Sequence, residues 1–175
     1  MLLLDKNYFE VLNLPQSFAV DEGRLEEHYR DLLAVVHPDR FVTSSPEQRR
    51  LAMQAATLAN EAWRSLRDPV DRAAYLCRLN GHPVDVSARS AIPPEFLFTQ
   101  MEWREALETA HDSRDRAAVL ALQIEVQQVR QQLLEQIARL IDEEANFQEA
   151  ASCVNRLMYV NRFAEQLDDE LDASS

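Results

Sequence analysis

A helical hydrophobic repeat runs into His37-Pro38-Asp39 and stops there, and this interruption constrains the fold more than any other feature of the chain. Leu25, Tyr29, Leu32 and Val36 recur at the spacing of one helical face, which predicts a buried stripe on a helix from Asp21 to Val36. A proline drives the residue before it out of the helical region, so His37 is expected extended, with Asp39 entering a loop that runs to Pro46. A second repeat, Ala55, Leu58, Ala59, Ala62, Trp63 and Leu66, predicts a helix over 46–66 with a stripe of mostly small residues that lets a neighbouring backbone approach closely. Two long helices joined this way pair antiparallel. The tripeptide is then left on an exposed corner.

Short helices are expected at Tyr8–Leu12 and Pro69–Leu79. From Gly81 to Ile92 the composition shifts to Pro, Ser and polar residues, and Pro93-Pro94 closes the stretch, which marks a linker at 81–93. Helices then follow over 94–111, 113–144 and 147–171, with Pro94 at a first helical position and Ser113 as an N-cap. The middle one, at roughly 30 residues, spans about 45 Å, and Leu122, Val126, Val129, Leu133, Ile137 and Leu140 form its stripe. Such a run can signal a dimeric coiled coil, but helices on either side offer partners within the chain. The expected fold is therefore all-α: a helical hairpin with short helices over 1–80, the linker 81–93, and a three-helix bundle over 94–175.

Charge narrows the partners. Residues 1–80 carry a net −2 and residues 81–175 a net −10. So acidic a half repels phosphate backbones, whose binding rests on cationic contacts, and nucleic acid is not an expected partner. No 18-residue apolar run occurs, and Met1-Leu2-Leu3-Leu4 is too short and too soon followed by Asp5 to be a signal-peptide core, so no membrane association is expected. With Cys77 and Cys153 the only cysteines, a reducing, cytoplasmic setting is the expectation. Two glycines leave no phosphate-binding loop, and the absence of Cys-x-x-Cys leaves neither a zinc module nor a thiolate cage for an iron–sulfur cluster. No cofactor or metal is expected.

The order of motifs is more specific than any one of them. Tyr8-Phe9-x-Val11-Leu12-x-Leu14-Pro15 precedes the His-Pro-Asp corner; Ala55-x-x-Leu58-Ala59-Asn60-Glu61-Ala62-Trp63-x-x-Leu66-x-Asp68-Pro69 and Arg72-Ala73-x-Tyr75-Leu76 follow it. This set, over about residues 8 to 79, resembles the J-domain of the DnaJ co-chaperone family. Arg72-Ala73-x-Tyr75-Leu76 in place of a Tyr-Asp ending, the compact acidic second half and Phe96-Leu97-Phe98-x-x-Met101-Glu102-x-Arg104-Glu105 make the chain look like the HscB-type J-proteins of iron–sulfur cluster biogenesis.

That resemblance implies a protein with no covalent chemistry of its own, which stimulates ATP hydrolysis on a DnaK-class chaperone and assists iron–sulfur protein maturation. Asp39 is the expected carboxylate for an arginine on the chaperone, Pro38 the rigid element and His37 the anchor of the corner, with Arg30 and Arg40 steering association. Many J-domains carry a basic second helix. Here Asp21, Glu22, Glu26, Glu27 and Asp31 outnumber Arg24 and Arg30, which favours a dedicated, HscA-type chaperone over a general one.

The second surface emerges from helix angles. Phe96, Trp103, Leu107 and Ala110 fall within about 60° of one another and make the buried face of the helix starting at Pro94. Leu97, Phe98 and Met101 cluster on another side, followed there by Glu105 and Glu108. An apolar patch rimmed by carboxylates suits docking of a client, although packing against a second neighbouring helix or against the J-domain itself is the competing reading. By resemblance, Leu97, Phe98, Met101, Glu102, Arg104 and Glu105, with Tyr159 on the last helix, bind an IscU-type iron–sulfur scaffold protein. Two alternatives stand beside this: a J-protein with another client, and a hydrolase using His37 and Asp39. The latter lacks a recognisable nucleophile and oxyanion site, and Pro38 is expected to make direct pairing of the two awkward.

Overall fold

The computed structural model of the protein describes residues 5–84 and 93–173. Helices account for its regular structure: α1 (Tyr8–Val11), α2 (Glu22–Val36), a 3-10 turn (Pro38–Phe41), α3 (Pro46–Arg67), α4 (Pro69–Leu79), α5 (Pro94–Ser113), α6 (Arg116–Asp142) and α7 (Phe147–Ala173). The chain divides into two compact units, Met1–Leu76 and Cys77–Ser175, so the division falls inside α4. Of the expected linker at 81–93, residues 85–92 lie outside the described residues.

In the first unit, local chemistry sets each helix start. Asn7 and Glu10 form a reciprocal capping box on α1, Asp21 caps α2 by accepting from the Arg24 amide, and Ser45 with Gln48 forms a second capping box on α3, whose first residue is Pro46. Trp63 Nε1 donates to Glu26 Oε2 at 3.0 Å, while the Tyr29 hydroxyl donates to Asn60 Oδ1 at 2.8 Å, so α2 and α3 run antiparallel. Tyr29 also stacks on Trp63, centroids 5.0 Å apart.

The α3 stripe is displaced from the expected one: Ala52, Ala56, Ala59, Ala62 and Leu66 are buried, and Ala55, Leu58 and Trp63 are half-buried. Likewise Leu25 is the buried member of the α2 stripe, while Tyr29, Leu32 and Val36 are only half-buried. Small alanine side chains fill most of the buried row of α3, while Tyr29 of α2 meets the half-buried Trp63 and Asn60.

Tyr75 of α4 locks α1 in place. Its ring stacks on Tyr8 at 4.4 Å and its hydroxyl oxygen accepts the Tyr8 amide at 2.9 Å. Arg72 donates through Nη1 to the Leu66 carbonyl at 2.7 Å, at the end of α3, and lies over the Phe18 ring. The Arg-Ala-x-Tyr-Leu segment is thus the clasp of this unit.

In the second unit α6 pairs antiparallel with α7, as the contacts Gln123–Asp168, Arg130–Asn161 and Arg116–Leu171 show. Trp103 of α5 donates to Glu125 of α6 at 2.7 Å and stacks on Phe163 of α7 at 5.5 Å, while His111 reaches Glu170. Hence α5 runs parallel to α7, completing an up-down-up three-helix bundle. Val119, Leu122, Val126, Leu133, Ile137, Leu140 and Ile141 of α6 meet Cys153, Val154, Leu157, Val160, Ala164 and Leu167 of α7 in the core.

Ser113 does not cap α6. It is the last residue of α5, where its hydroxyl donates back to the Thr109 carbonyl at 2.7 Å; Arg114 turns left-handed at φ 53°, and Asp115 caps α6 by accepting from the Ala118 amide. The competing carbonyl one turn back holds the serine inside the earlier helix.

Candidate functional site

Pro38 removes a helical donor and ends α2, leaving His37 extended at φ −58° and ψ 128°. Instead of the expected loop, Pro38–Phe41 winds into a 3-10 turn that His37 itself caps: its Nδ1 accepts the Asp39 amide at 3.3 Å. The bond requires Nδ1 unprotonated and places the neutral ring's proton on Nε2. The Asp39 carboxylate Oδ2 lies 3.6 Å from the same nitrogen. Pro38 therefore does not keep the two side chains apart, contrary to expectation, because the 3-10 turn folds Asp39 back toward the ring.

Arg40 donates through Nη1 to the Ala34 carbonyl at 2.6 Å, satisfying one of the orphaned acceptors at the C-terminus of α2. The clip fixes the turn to the helix. Arg30, on the exposed face of α2, donates through Nε to the Glu26 carbonyl. His37, Asp39 and Arg40 are all exposed, and the Asp39 side chain keeps 86% of its surface accessible. Exposed Val35 and Val42 flank the corner. The turn thus presents one carboxylate on a pinned backbone.

Of the acidic residues on α2, Asp21 serves as the N-cap and Glu26 accepts from Trp63. Glu22, Glu27 and Asp31 remain exposed on that helix. Both cysteines are buried, and burial raises the Cys77 thiol to about 11 and the Cys153 thiol in the same direction, so neither supplies a thiolate nucleophile at neutral pH.

On α5 the helix angles hold. Trp103 and Ala110 are buried and Phe96 and Leu107 half-buried, whereas Leu97, Phe98 and Met101 retain 42%, 66% and 65% of their surface. The competing reading, that these three pack inside, is excluded within the unit. Glu102, Arg104 and Glu105 are exposed beside them.

Tyr159 of α7 is half-buried, edge-on to Phe96 at 6.2 Å; its hydroxyl accepts from Arg104 Nη2 and its ring lies under the guanidinium. The structure thus brings Arg104 and Tyr159 together. Gln100 escaped the sequence reading: it is buried, and its Nε2 has no hydrogen-bond partner in the protein. Its position four residues after Phe96 and three before Trp103, on the inward stripe, is the signal that could have found it.

Two family models match the chain: the DnaJ domain over residues 7–75 and the HSCB C-terminal oligomerisation domain over residues 92–168. The chain is 44% identical to the co-chaperone protein HscB homolog of Bordetella pertussis, across 92% of this chain and 94% of the relative. It belongs to the HscB co-chaperone family. The HscB homolog of Burkholderia multivorans is 41% identical over 98% of both chains. Among solved structures, the chaperone HscB from Vibrio cholerae superposes with a TM-score of 0.85 at 31% identity, covering 97% of this chain and 100% of that one. Human co-chaperone protein HscB gives the same TM-score at 26% identity, over 93% and 81%. The HscB fold, J-domain followed by helical C-terminal domain, is thus carried along nearly the whole chain. Among the described residues, no helix is long and apolar enough to cross a membrane, and no group of three or more His, Cys, Asp or Glu side chains could hold a metal ion.

Proposed function

We propose that this HscB-family protein is an adaptor with two working surfaces. The His37-Pro38-Asp39 corner, with Arg30 and Arg40, engages a DnaK-class chaperone of the HscA type and stimulates its ATP hydrolysis. The α5–α7 surface of Leu97, Phe98, Met101, Glu102, Arg104, Glu105 and Tyr159 carries an IscU-type iron–sulfur scaffold protein to that chaperone. In this reading the J-domain extends over residues 1–80, and 94–175 form the client-carrying bundle beyond a linker at 81–93.

The observation that carries the proposal is the geometry of Asp39, an exposed carboxylate on a turn held by Pro38, by the His37 cap and by the Arg40 clip. A preorganised carboxylate loses little freedom on pairing with an arginine, so most of the charge-assisted bond remains as binding energy. The acidic α2 face disfavours a partner selected by a basic J-domain. It supports a dedicated one.

The decisive experiment is steady-state ATP hydrolysis by an HscA-type chaperone with and without an IscU-type scaffold. Wild type is expected to stimulate turnover, more so with scaffold present. Asp39→Asn is expected to abolish stimulation with an unchanged circular-dichroism spectrum, since the side chain is exposed. Full stimulation by that variant sinks the reading.

A further inference from the structure

Among the described residues of the first unit, the two most exposed large apolar side chains are Val42, at 65% of its surface, and Val35, at 61%, one on each side of His37-Pro38-Asp39 in the chain. Neither belongs to the core, which Phe9, Leu12, Leu25, Leu66 and Leu76 supply. Backbone geometry sets both beside the turn. Side chains three residues apart in a 3-10 helix eclipse, and Val42, helical at φ −58° and ψ −37°, follows Asp39 by three. Val35 is an exposed residue of the last turn of α2, next to the Ala34 carbonyl to which Arg40 ties the turn.

We infer that Val35 and Val42 form an apolar collar that closes water out from the pair between Asp39 and an arginine of the chaperone, and that the matching chaperone surface is an arginine ringed by aliphatic side chains. The inference rests on the assignment of this corner to a DnaK-class chaperone. It supplies what the carboxylate alone lacks.

With 86% of its side chain accessible, Asp39 by itself makes an ion pair open to solvent and counterions, and such pairs contribute little to affinity. Excluding water changes that. Contacts that are weak in themselves but seal off solvent let the charged group they surround act as an anchor. Valine suits this place because its branched Cβ holds one rotamer on helical backbone, so little side-chain freedom is lost on contact. Continuity with the corner names the occupant: a surface that takes Asp39 also meets the valines before and after it.

Steady-state ATP hydrolysis by an HscA-type chaperone, titrated with the full chain at ~0.01 M and ~0.15 M salt, where the screening length falls from about 30 Å to about 8 Å, tests the collar. Val35→Thr with Val42→Thr keeps shape and branching while making both side chains polar. This double variant should need about fivefold more protein, or above, for half-maximal stimulation. It should still reach the wild-type maximum, and its half-maximal concentration should rise more steeply with salt than that of wild type. Its melt should be unchanged, because both side chains are exposed. Val35→Ile with Val42→Ile should match wild type at both salt concentrations. Asp39→Asn separates the two readings: full stimulation by that variant overturns the corner assignment, and the collar falls with it. Where Asp39→Asn is inactive, a threonine pair with the wild-type half-maximal concentration and salt dependence overturns the collar alone. So does a threonine pair with a lowered maximum, or an isoleucine pair that weakens binding as much as the threonine pair.

Discussion

Arg104 of α5 donates to the hydroxyl of Tyr159 on α7 while its guanidinium lies 5.7 Å from the centre of the tyrosine ring. One side chain thereby joins two helices at the edge of the apolar patch and holds its own charge in a set place. Tyr159→Phe should keep the ring packing against Phe96 and lose the hydrogen bond, costing about 0.5–1.5 kcal/mol at most because the bond is solvent-exposed. Scaffold affinity, read by calorimetry, should fall modestly with it. Tyr159→Ala should melt distinctly lower, since it also removes the ring contact.

The triple change Leu97→Ala, Phe98→Ala and Met101→Ala separates surface from core. Buried large-to-alanine changes cost about 2–5 kcal/mol each. Because these side chains are exposed, the melting temperature should hardly move, while scaffold binding weakens by upwards of about 1 kcal/mol per anchor, roughly fivefold or more. A large drop in melting temperature would contradict the exposure described above.

His111 Nδ1 lies 2.9 Å from Glu170 Oε1, and this carboxylate, aided by Asp112, holds the imidazole above its ordinary pKa. A raised folded-state value means that the pair's stabilisation is fully present below the unfolded pKa of about 6.5 and is lost as pH rises through the folded value. An NMR titration of the ring should show the elevated midpoint, and Glu170→Gln should bring it down. An unchanged midpoint would refute the coupling.

Ala145, between α6 and α7, adopts φ 50°, a left-handed conformation that a Cβ disfavours. It is exposed, so Ala145→Gly meets no packing cost. The variant should gain about 0.5–1 kcal/mol, seen as a higher urea midpoint at unchanged slope.

Periodicity and proline make most helices legible: Pro46, Pro69 and Pro94 each open one, and the angle between Phe96 and Phe98 around α5 distinguishes the inward side from the exposed one. Bonds that join distant residues were not legible. That Arg40 reaches Ala34, or that Trp63 reaches Glu26, depends on where turns place side chains, and spacing carries no trace of it. The α3 stripe shifted because alanine scores as apolar at every position, so a run containing Ala52, Ala55, Ala56, Ala59 and Ala62 leaves the inward face underdetermined. Ser113 and Asp115 are both good caps, and the left-handed Arg114 decided between them.

The four residues between α6 and α7 bear on how the bundle assembles. A hairpin closed by so short a connection pays little loop entropy, and helical contacts this local form on microsecond-to-millisecond timescales. The α5–α7 pairing is parallel and joins residues as distant as Arg104 and Tyr159, 55 positions apart. A chain in which α7 has not docked lacks the Arg104–Tyr159 link, so the surface proposed to carry a client is complete only in the assembled bundle.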